Sequence, residues 1–311
     1  MLIRVRSWVF STDLPSDEIG EHTAFNPSKS STFSEYEGGS WQIAYGDGSG
    51  ASGSVGFDTV KIGDLTVAKQ AVELADQVSK SFISDENNDG LVGLAFSAIN
   101  TVQPQQQKTF FENIMDELDQ PLFTADLEDD ASGTYEFGTI DKSKYTGDLH
   151  FTTIDNSNGF WQFDSTSYSI GGKTVQNSGA SPAIADTGTS LVLVDDEVAQ
   201  AYYAQIDGST ISSTAGGYVY PCDANVPSFG VEIGNSGYTA EITGADMTFA
   251  KVNSNTCFGG LQSNGGGGLQ IFGDVLLKQY FAVFDAGNMS FGIAPKSAAV
   301  NTKSKRSKAL V

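Results

Sequence analysis

Apolar residues in this chain come in short runs of about four to eight, punctuated by glycine and polar turn residues, a rhythm that predicts strands. Trp41–Tyr45 (WQIAY) reads as a strand, Gly46–Gly50 (GDGSG) as a hairpin tip and Val55–Ile62 as the returning strand, because Gly and Asp tolerate the left-handed backbone of a tight turn. A second turn at Gly63–Asp64 continues the meander. Further strands are predicted at Gly133–Ile140, Leu149–Ile154 and Phe160–Ile170, the last closed by Gly171–Gly172. Val275–Asp285 follows late in the chain and runs to a hairpin tip at Gly287–Asn288. Helical spacing appears twice. Lys108–Leu118 places Phe110, Phe111, Ile114, Met115 and Leu118 on one face. Asp195–Ile206 buries Val198, Tyr202 and Ile206 behind Asp195 as N-cap. The expectation is an all-β protein with a few short helices.

An apolar-apolar-Gly pattern occurs at Leu91–Val92–Gly93 and again at Ile271–Phe272–Gly273, so the chain reads as two related halves. The polar stretch Asp141–Gly147 marks the boundary, giving a first lobe over 1–146, with a hairpin flap at 41–60, and a second over 147–295. Composition agrees: 311 residues are enough for two lobes, 39% apolar residues for a core, and 35 Gly, 20 Phe and 11 Tyr for many short strands. No stretch of 18 consecutive apolar residues is present to form a spanning helix.

Charge narrows the partners. With 38 Asp and Glu against 17 Lys and Arg, the surface repels nucleic acid and anionic membranes. It also suits acid, since carboxylates neutralise near pH 4 and few bases remain to repel one another, although a merely soluble acidic protein would look alike. The bases concentrate at the ends: residues 1–6 and 296–311 hold seven and no acid, while residues 7–295 hold ten Lys and no Arg. Residues 296–311 read as a disordered basic tail. Cys222 and Cys257 favour one disulfide and an oxidising compartment over two buried thiols. With two histidines and no ligand spacing, no metal site and no cofactor are expected. No secretory leader is legible at the start, and Asn288-Met289-Ser290 is a sequon at a predicted hairpin tip.

The chemistry concentrates at Pro182–Asp195 (PAIADTGTSLVLVD). Asp186 follows one apolar run and precedes another, which places a carboxylate on a tight loop between buried strands. Gly188 permits the sharp turn and close backbone approach. Thr189 stands where its hydroxyl can donate to Asp186, and the repeated apolar-apolar-Gly run can seal the loop from water. A turn aspartate is the ordinary alternative.

Four segments, ADTGTSLV, WQIAYGDGS, DGLVGLAF and LQIFGDVLLKQYFAVFD, resemble the pepsin-like aspartic endopeptidases, most closely the secreted fungal penicillopepsin and aspergillopepsin group, from about Trp8 to Pro295. The resemblance implies a bilobal acid protease fold and peptide-bond hydrolysis by two aspartates that share a proton and activate a water. It implies that Asp186 is one of them, supported by Thr187, Gly188 and Thr189. It implies a flap in which Tyr45, Gly46, Asp47 and Ser49 cover substrate and Tyr45 bonds the indole of Trp8. Asp47 and Ser49 match flap positions that tolerate a lysine at the cleaved bond, though Asp47 is also a good turn former. The resemblance further implies a Cys222–Cys257 bridge in the second lobe, secretion as a zymogen, a monomer and polypeptide substrates bound between the lobes.

The first aspartate of the pattern should lie seven residues before Trp8, and Met1 stands there, with MLIRVRS replacing Asp-Thr-Gly-Ser-Ser-Asp-Leu. Leu-Ile-Arg-Val-Arg can be encoded so that a shifted frame reads Asp-Thr-Gly-Ser, which suggests a first motif read out of frame. The expectation is a chain inactive as written. The alternative is a pseudoprotease, a binding or inhibitory protein on the same fold. A single-motif subunit that dimerises is a third reading, disfavoured by a chain that already carries two lobe-like halves.

Overall fold

The computed structural model describes residues 7–129 and 133–297; the base-rich stretches 1–6 and 298–311 lie outside them. The first half is one five-stranded sheet made from β1 (Trp8–Phe10), β2 (Ser34–Ala44), β3 (Gly50–Ile62), β4 (Leu65–Val78) and β5 (Gly90–Leu91), in the order β2-β3-β4-β1-β5. The β2–β3–β4 meander matches the predicted turns, with Gly48 and Gly63 both at positive φ. Its strands start earlier than their apolar runs, because pairing continues through Gly and Ser positions that carry no hydrophobic signal.

Next come β6 (Leu122–Asp126), β7 (Thr134–Phe137) and β8 (His150–Thr153). In the second half, β9 (Gln162–Phe163), β12 (Ala183–Ala185), β13 (Val192–Val194), β20 (Leu261–Ser263) and β21 (Gln270–Phe272) form a sheet ordered β20-β13-β21-β12-β9. Two four-stranded sheets flank it. One joins β10 (Ser167–Ile170), β11 (Lys173–Gln176), β16 (Phe229–Glu232) and β17 (Thr239–Ile242); the other joins β14 (Thr210–Ser212), β15 (Gly217–Pro221), β18 (Thr248–Lys251) and β19 (Thr256–Gly259). Finally β22 (Tyr280–Asp285) and β23 (Ser290–Pro295) insert between β6 and β8, so one sheet, β7-β6-β22-β23-β8, takes strands from both sides of the chain's midpoint.

Three local readings are corrected. The run Phe160–Ile170 is two strands, because β9 pairs with β12 while β10 pairs with β16 in another sheet, and the chain must cross between them. The helix predicted over Lys108–Leu118 is α3 over Phe110–Ile114 followed by a 3-10 turn, Met115–Glu117. The extended path into Pro121 and β6 ends it. Its start is a capping box between Thr109 and Glu112, and Glu112 also accepts from the Ser97 backbone and hydroxyl. The helix expected over Asp195–Ile206 is α4 over Asp196–Tyr203. Asp195 occupies the N-cap position but makes no side-chain cap; its carboxylate accepts instead from Asn177, the Ser181 N–H and Asn264.

Of the predicted stripe, Val198 and Tyr202 lie on α4 and Ile206 just beyond its end; all three are buried, contributing about 1.5–3 kcal/mol per side chain. They belong to a core that also takes in Phe110, Phe111, Phe123, Trp161 and Phe284, so residues on both sides of the midpoint share one apolar interior. Trp161 is edge-on to Phe123 and Phe284 and donates its indole N–H to Leu94 O at 3.1 Å. A second cluster around Trp8, Phe10 and Trp41 stands behind β1–β5.

Candidate active site

Asp186 leaves the C-terminal end of β12 and is 1% exposed. Its loop is folded around its own carboxylate: Gly188 N–H donates to Oδ1 at 2.9 Å, and the Thr189 hydroxyl donates to Oδ2 at 2.7 Å. The Asp186 N–H in turn donates to Phe272 O at 3.1 Å. Gly273 crosses behind, where a Cβ would lie 2.0 Å from Thr189 O, so only glycine lets the two segments meet. Three further bonds lock the crossing: Gly273 N–H to Leu191 O, Asp274 N–H to Thr189 O and Val275 N–H to Ser190 O. The apolar-apolar-Gly run therefore sits where the sequence pattern required it.

Two neighbours of this loop were not anticipated. Tyr135 on β7 hydrogen-bonds Thr187, and burial pushes its hydroxyl up to about 12, with Asp274 and Asp186 adding to the effect. Asp274, the N1 residue of the short helix α5 (Asp274–Leu277), is pushed up to about 6 by burial, with Asp186 and Asp129 raising it and Lys278 opposing. Asp274 was legible as the residue after Gly273. Nothing in the local sequence of Tyr135 marks it, because β7 reaches the loop only through tertiary packing.

The flap residues form their own group. Tyr45 N–H bonds Ser49 O at 2.8 Å and Gly48 N–H bonds Tyr45 O at 3.0 Å, which closes the tip. Asp47 Oδ1 accepts from the Ser49 N–H at 2.9 Å and its hydroxyl at 2.6 Å. Gly46 and Asp47 stay exposed, and a Cβ on Gly46 would touch nothing within 4 Å. Trp8 Nε1–H donates to the Tyr45 hydroxyl at 2.9 Å, so the predicted pair is brought together. Phe82 on α2 (Lys80–Ser84) meets both rings edge-on, 5.0 Å from Trp8 and 5.6 Å from Tyr45. Cys222 and Cys257 are bridged.

The two halves repeat in three dimensions. β1 pairs parallel to β4 and antiparallel to β5, as β13 pairs parallel to β20 and antiparallel to β21. Gly93 N–H meets Ser7 Oγ where Gly273 N–H meets Leu191 O. The difference lies at the next position. β21 also pairs with β12, the strand that delivers Asp186, whereas among the described residues β5 has no such partner.

The sequence profile described as eukaryotic aspartyl protease matches residues 6–296. A putative aspergillopepsin A-like aspartic endopeptidase of Aspergillus fumigatus is 51% identical over 296 residues, covering 92% of this chain and 68% of the relative. Aspergillopepsin-1 of Aspergillus clavatus is 50% identical over 293 residues, covering 93% and 73%. Penicillopepsin-1 of Penicillium janthinellum is 49% identical over 291 residues, covering 93% and 88%.

Proposed function

The chain belongs to the eukaryotic aspartyl proteases, and from that premise we propose that it is the scaffold of a secreted, monomeric endopeptidase cutting polypeptides in acid, with Asp186 as one member of a proton-sharing pair. The buried carboxylate of Asp186, with each oxygen held by a donor of its own loop, carries this reading. Such a pair holds a water between its oxygens; the ionised member takes a proton from it, and the protonated member polarises the scissile carbonyl. Thr189 and Gly188 fix the plane of the carboxylate, Thr187 ties the loop to Tyr135, and Gly273 excludes water from behind. Tyr45, held by Trp8, and the Asp47–Ser49 tip would cover the substrate from the first lobe (1–146), facing the second (147–295).

The second carboxylate has a place in this scheme: a loop following a strand paired with β5 as β12 pairs with β21. No Asp-Thr-Gly other than Asp186–Gly188 occurs in the 311 residues, so we propose that the chain as written does not hydrolyse peptides. A non-catalytic binding role is the second reading, favoured by that same feature; the intact Asp186 loop and flap speak for the protease. The test is to express the chain with Asp-Thr-Gly-Ser restored in place of the shifted segment. Cleavage of denatured protein at pH 3–5, inhibition by a pepstatin-type compound and loss of both with Asp186→Asn are expected. A restored, folded chain that neither cuts nor binds the inhibitor would overturn the protease reading in favour of the pseudoprotease.

A further inference from the structure

His22 is the buried ionisable ring that the chemistry above leaves unused. Its side chain is 1% exposed, and its ring stacks on Phe10 with centroids 4.1 Å apart and planes 13° from parallel. Nε2 lies 3.1 Å from Ile83 O on α2. A carbonyl only accepts, so Nε2 carries the hydrogen and donates. In the neutral ring Nδ1 is then a bare acceptor, and it has no hydrogen-bond partner. What it faces is another acceptor, Asp89 Oδ1, at 3.7 Å.

A second proton on Nδ1 turns that confrontation into an attraction. The ring is then a cation that still donates from Nε2 to Ile83 O on one side and is drawn to the Asp89 carboxylate, 3.7 Å from Nδ1, on the other. Asp89 is itself anchored, by the Thr23 N–H to Oδ1 at 2.9 Å and by its carbonyl, which accepts from Phe10 N–H. Other charged side chains lie on the surrounding segments: Asp13 after β1, Asp17, Glu18 and Glu21 in and after α1 (Ser16–Ile19), Lys80, Asp85 and Glu86 in and after α2, and Glu73 and Asp76 on β4 beside β1. Glu73 is buried and accepts from Asn100, the others are exposed or partly so, and Asp89 is the ion-pair partner of His22 among the described residues.

We propose that His22 is a positioning residue. A second proton on its ring bridges α2 to the Asp89 loop and thereby sets Phe82, the neighbour of Ile83, against the Trp8–Tyr45 pair. Without that proton one leg of the bridge is lost and α2 is held by the Ile83 contact alone. That this governs a substrate flap rests on the reading of Tyr45 given above. The coupling of His22 to Trp8 does not, and it can be measured without catalysis.

The experiment is NMR of the full chain between about pH 4 and 7.5, the range in which a histidine ring changes charge. The chain has two histidines and three tryptophans, so the ring signals of His22 and the indole N–H signals can be assigned singly. The Trp8 indole is expected to shift with the same midpoint as the His22 ring. The indoles of Trp41 and Trp161, bonded to Leu74 O and Leu94 O, are expected to stay still. In His22→Gln, which can still donate to Ile83 O, the Trp8 shift over this range disappears. In Asp89→Asn, which keeps the buried ring and serves if the Gln variant does not fold, the shared midpoint moves to lower pH. A His22 signal that does not titrate, a Trp8 shift that persists unchanged in His22→Gln, or a midpoint unmoved in Asp89→Asn would overturn the proposal. None of these outcomes depends on whether the protein cuts peptides.

Discussion

Replacing Gly273 by Ala adds one methyl group where two backbone segments cross behind Asp186. The glycine is extended, at φ −96° and ψ −157°, so the substitution carries no conformational strain of its own. The added Cβ would stand 2.0 Å from Thr189 O and 2.4 Å from Leu191 O. Both are backbone oxygens, and neither can rotate away, so the Asp186 loop must retreat by more than about 1 Å. Three hydrogen bonds stretch with it: Gly273 N–H to Leu191 O at 3.1 Å, Asp274 N–H to Thr189 O at 2.8 Å and Val275 N–H to Ser190 O at 3.1 Å. At about 1 kcal/mol net each, the loss is about 3 kcal/mol. Gly179→Ala is the matched control, since a Cβ there meets nothing within 4 Å and its φ is not left-handed; a change within about 0.5 kcal/mol is expected. Guanidinium unfolding followed by tryptophan fluorescence reads the difference. With a slope of about 4 kcal/mol per molar, the Gly273→Ala midpoint falls by about 0.7 M relative to Gly179→Ala. In the form carrying both aspartates, a 1 Å displacement of Asp186 also lowers turnover about 100-fold. Midpoints within about 0.2 M of one another would refute the reasoning that this crossing is sterically closed.

Removing the Cys222–Cys257 bridge as a double Ala variant frees a loop of sequence separation 35, worth about 4 kcal/mol by chain entropy, and thiol reduction of the parent should lower its unfolding midpoint equally. Asp274 titrates at about 6 in the folded protein against 3.8 normally, so folding favours its protonated form. That contribution is complete below the unfolded value and is lost as pH rises through about 6, at a cost of up to about 3 kcal/mol. Asp274→Asn should therefore flatten the fall in stability between pH 4 and 7, measured as unfolding midpoint against pH. Asp195 is partly buried, which alone would raise it, yet donors from Ser181, Asn177 and Asn264 hold it below the usual carboxylate range. Its stabilisation is present above the ordinary Asp value and lost as pH falls through the lower folded one. Asp195→Ala should accordingly cost about 1–2 kcal/mol at pH 6, after allowance for solvent screening, and progressively less below about pH 3. Thr189→Val removes the donor to Asp186 Oδ2 without changing shape, and should lower turnover of the two-aspartate form about 10-fold, with Thr189→Ser restoring it.

Much of the site was legible because its geometry is local. Gly188 and Thr189 lie within three residues of Asp186, so tight-loop chemistry alone places their donors on its oxygens. The Asp47–Ser49 tip is local for the same reason. Trp8 and Tyr45 are 37 residues apart, and their pairing was available only through the family resemblance. Two of the elements that differ from expectation turn on choices that no window of sequence contains. Apolar alternation through Phe160–Ile170 is compatible with one strand; which sheet each end joins is decided by β12 and β16. Asp195 has the residue type and position of an N-cap, but Asn177 and Asn264, distant in sequence, compete for its carboxylate and win.

By itself the sequence determined the short-strand, all-β class, the two-fold repeat, the acidic surface and the loop that holds Asp186, because period, turn chemistry and hydrogen bonds within a few residues are properties of the local chain. The folded molecule alone decided that Tyr135 touches Thr187, that burial raises Asp274 beside Asp186, that His22 is sealed between Phe10, Ile83 and Asp89, and that β21 and β12 pair where, among the described residues, β5 has no such partner. Those facts depend on burial and on partners far away in the chain. A side chain's charge and contacts are set by what packs around it, and only closure of the sheets brings those neighbours within reach.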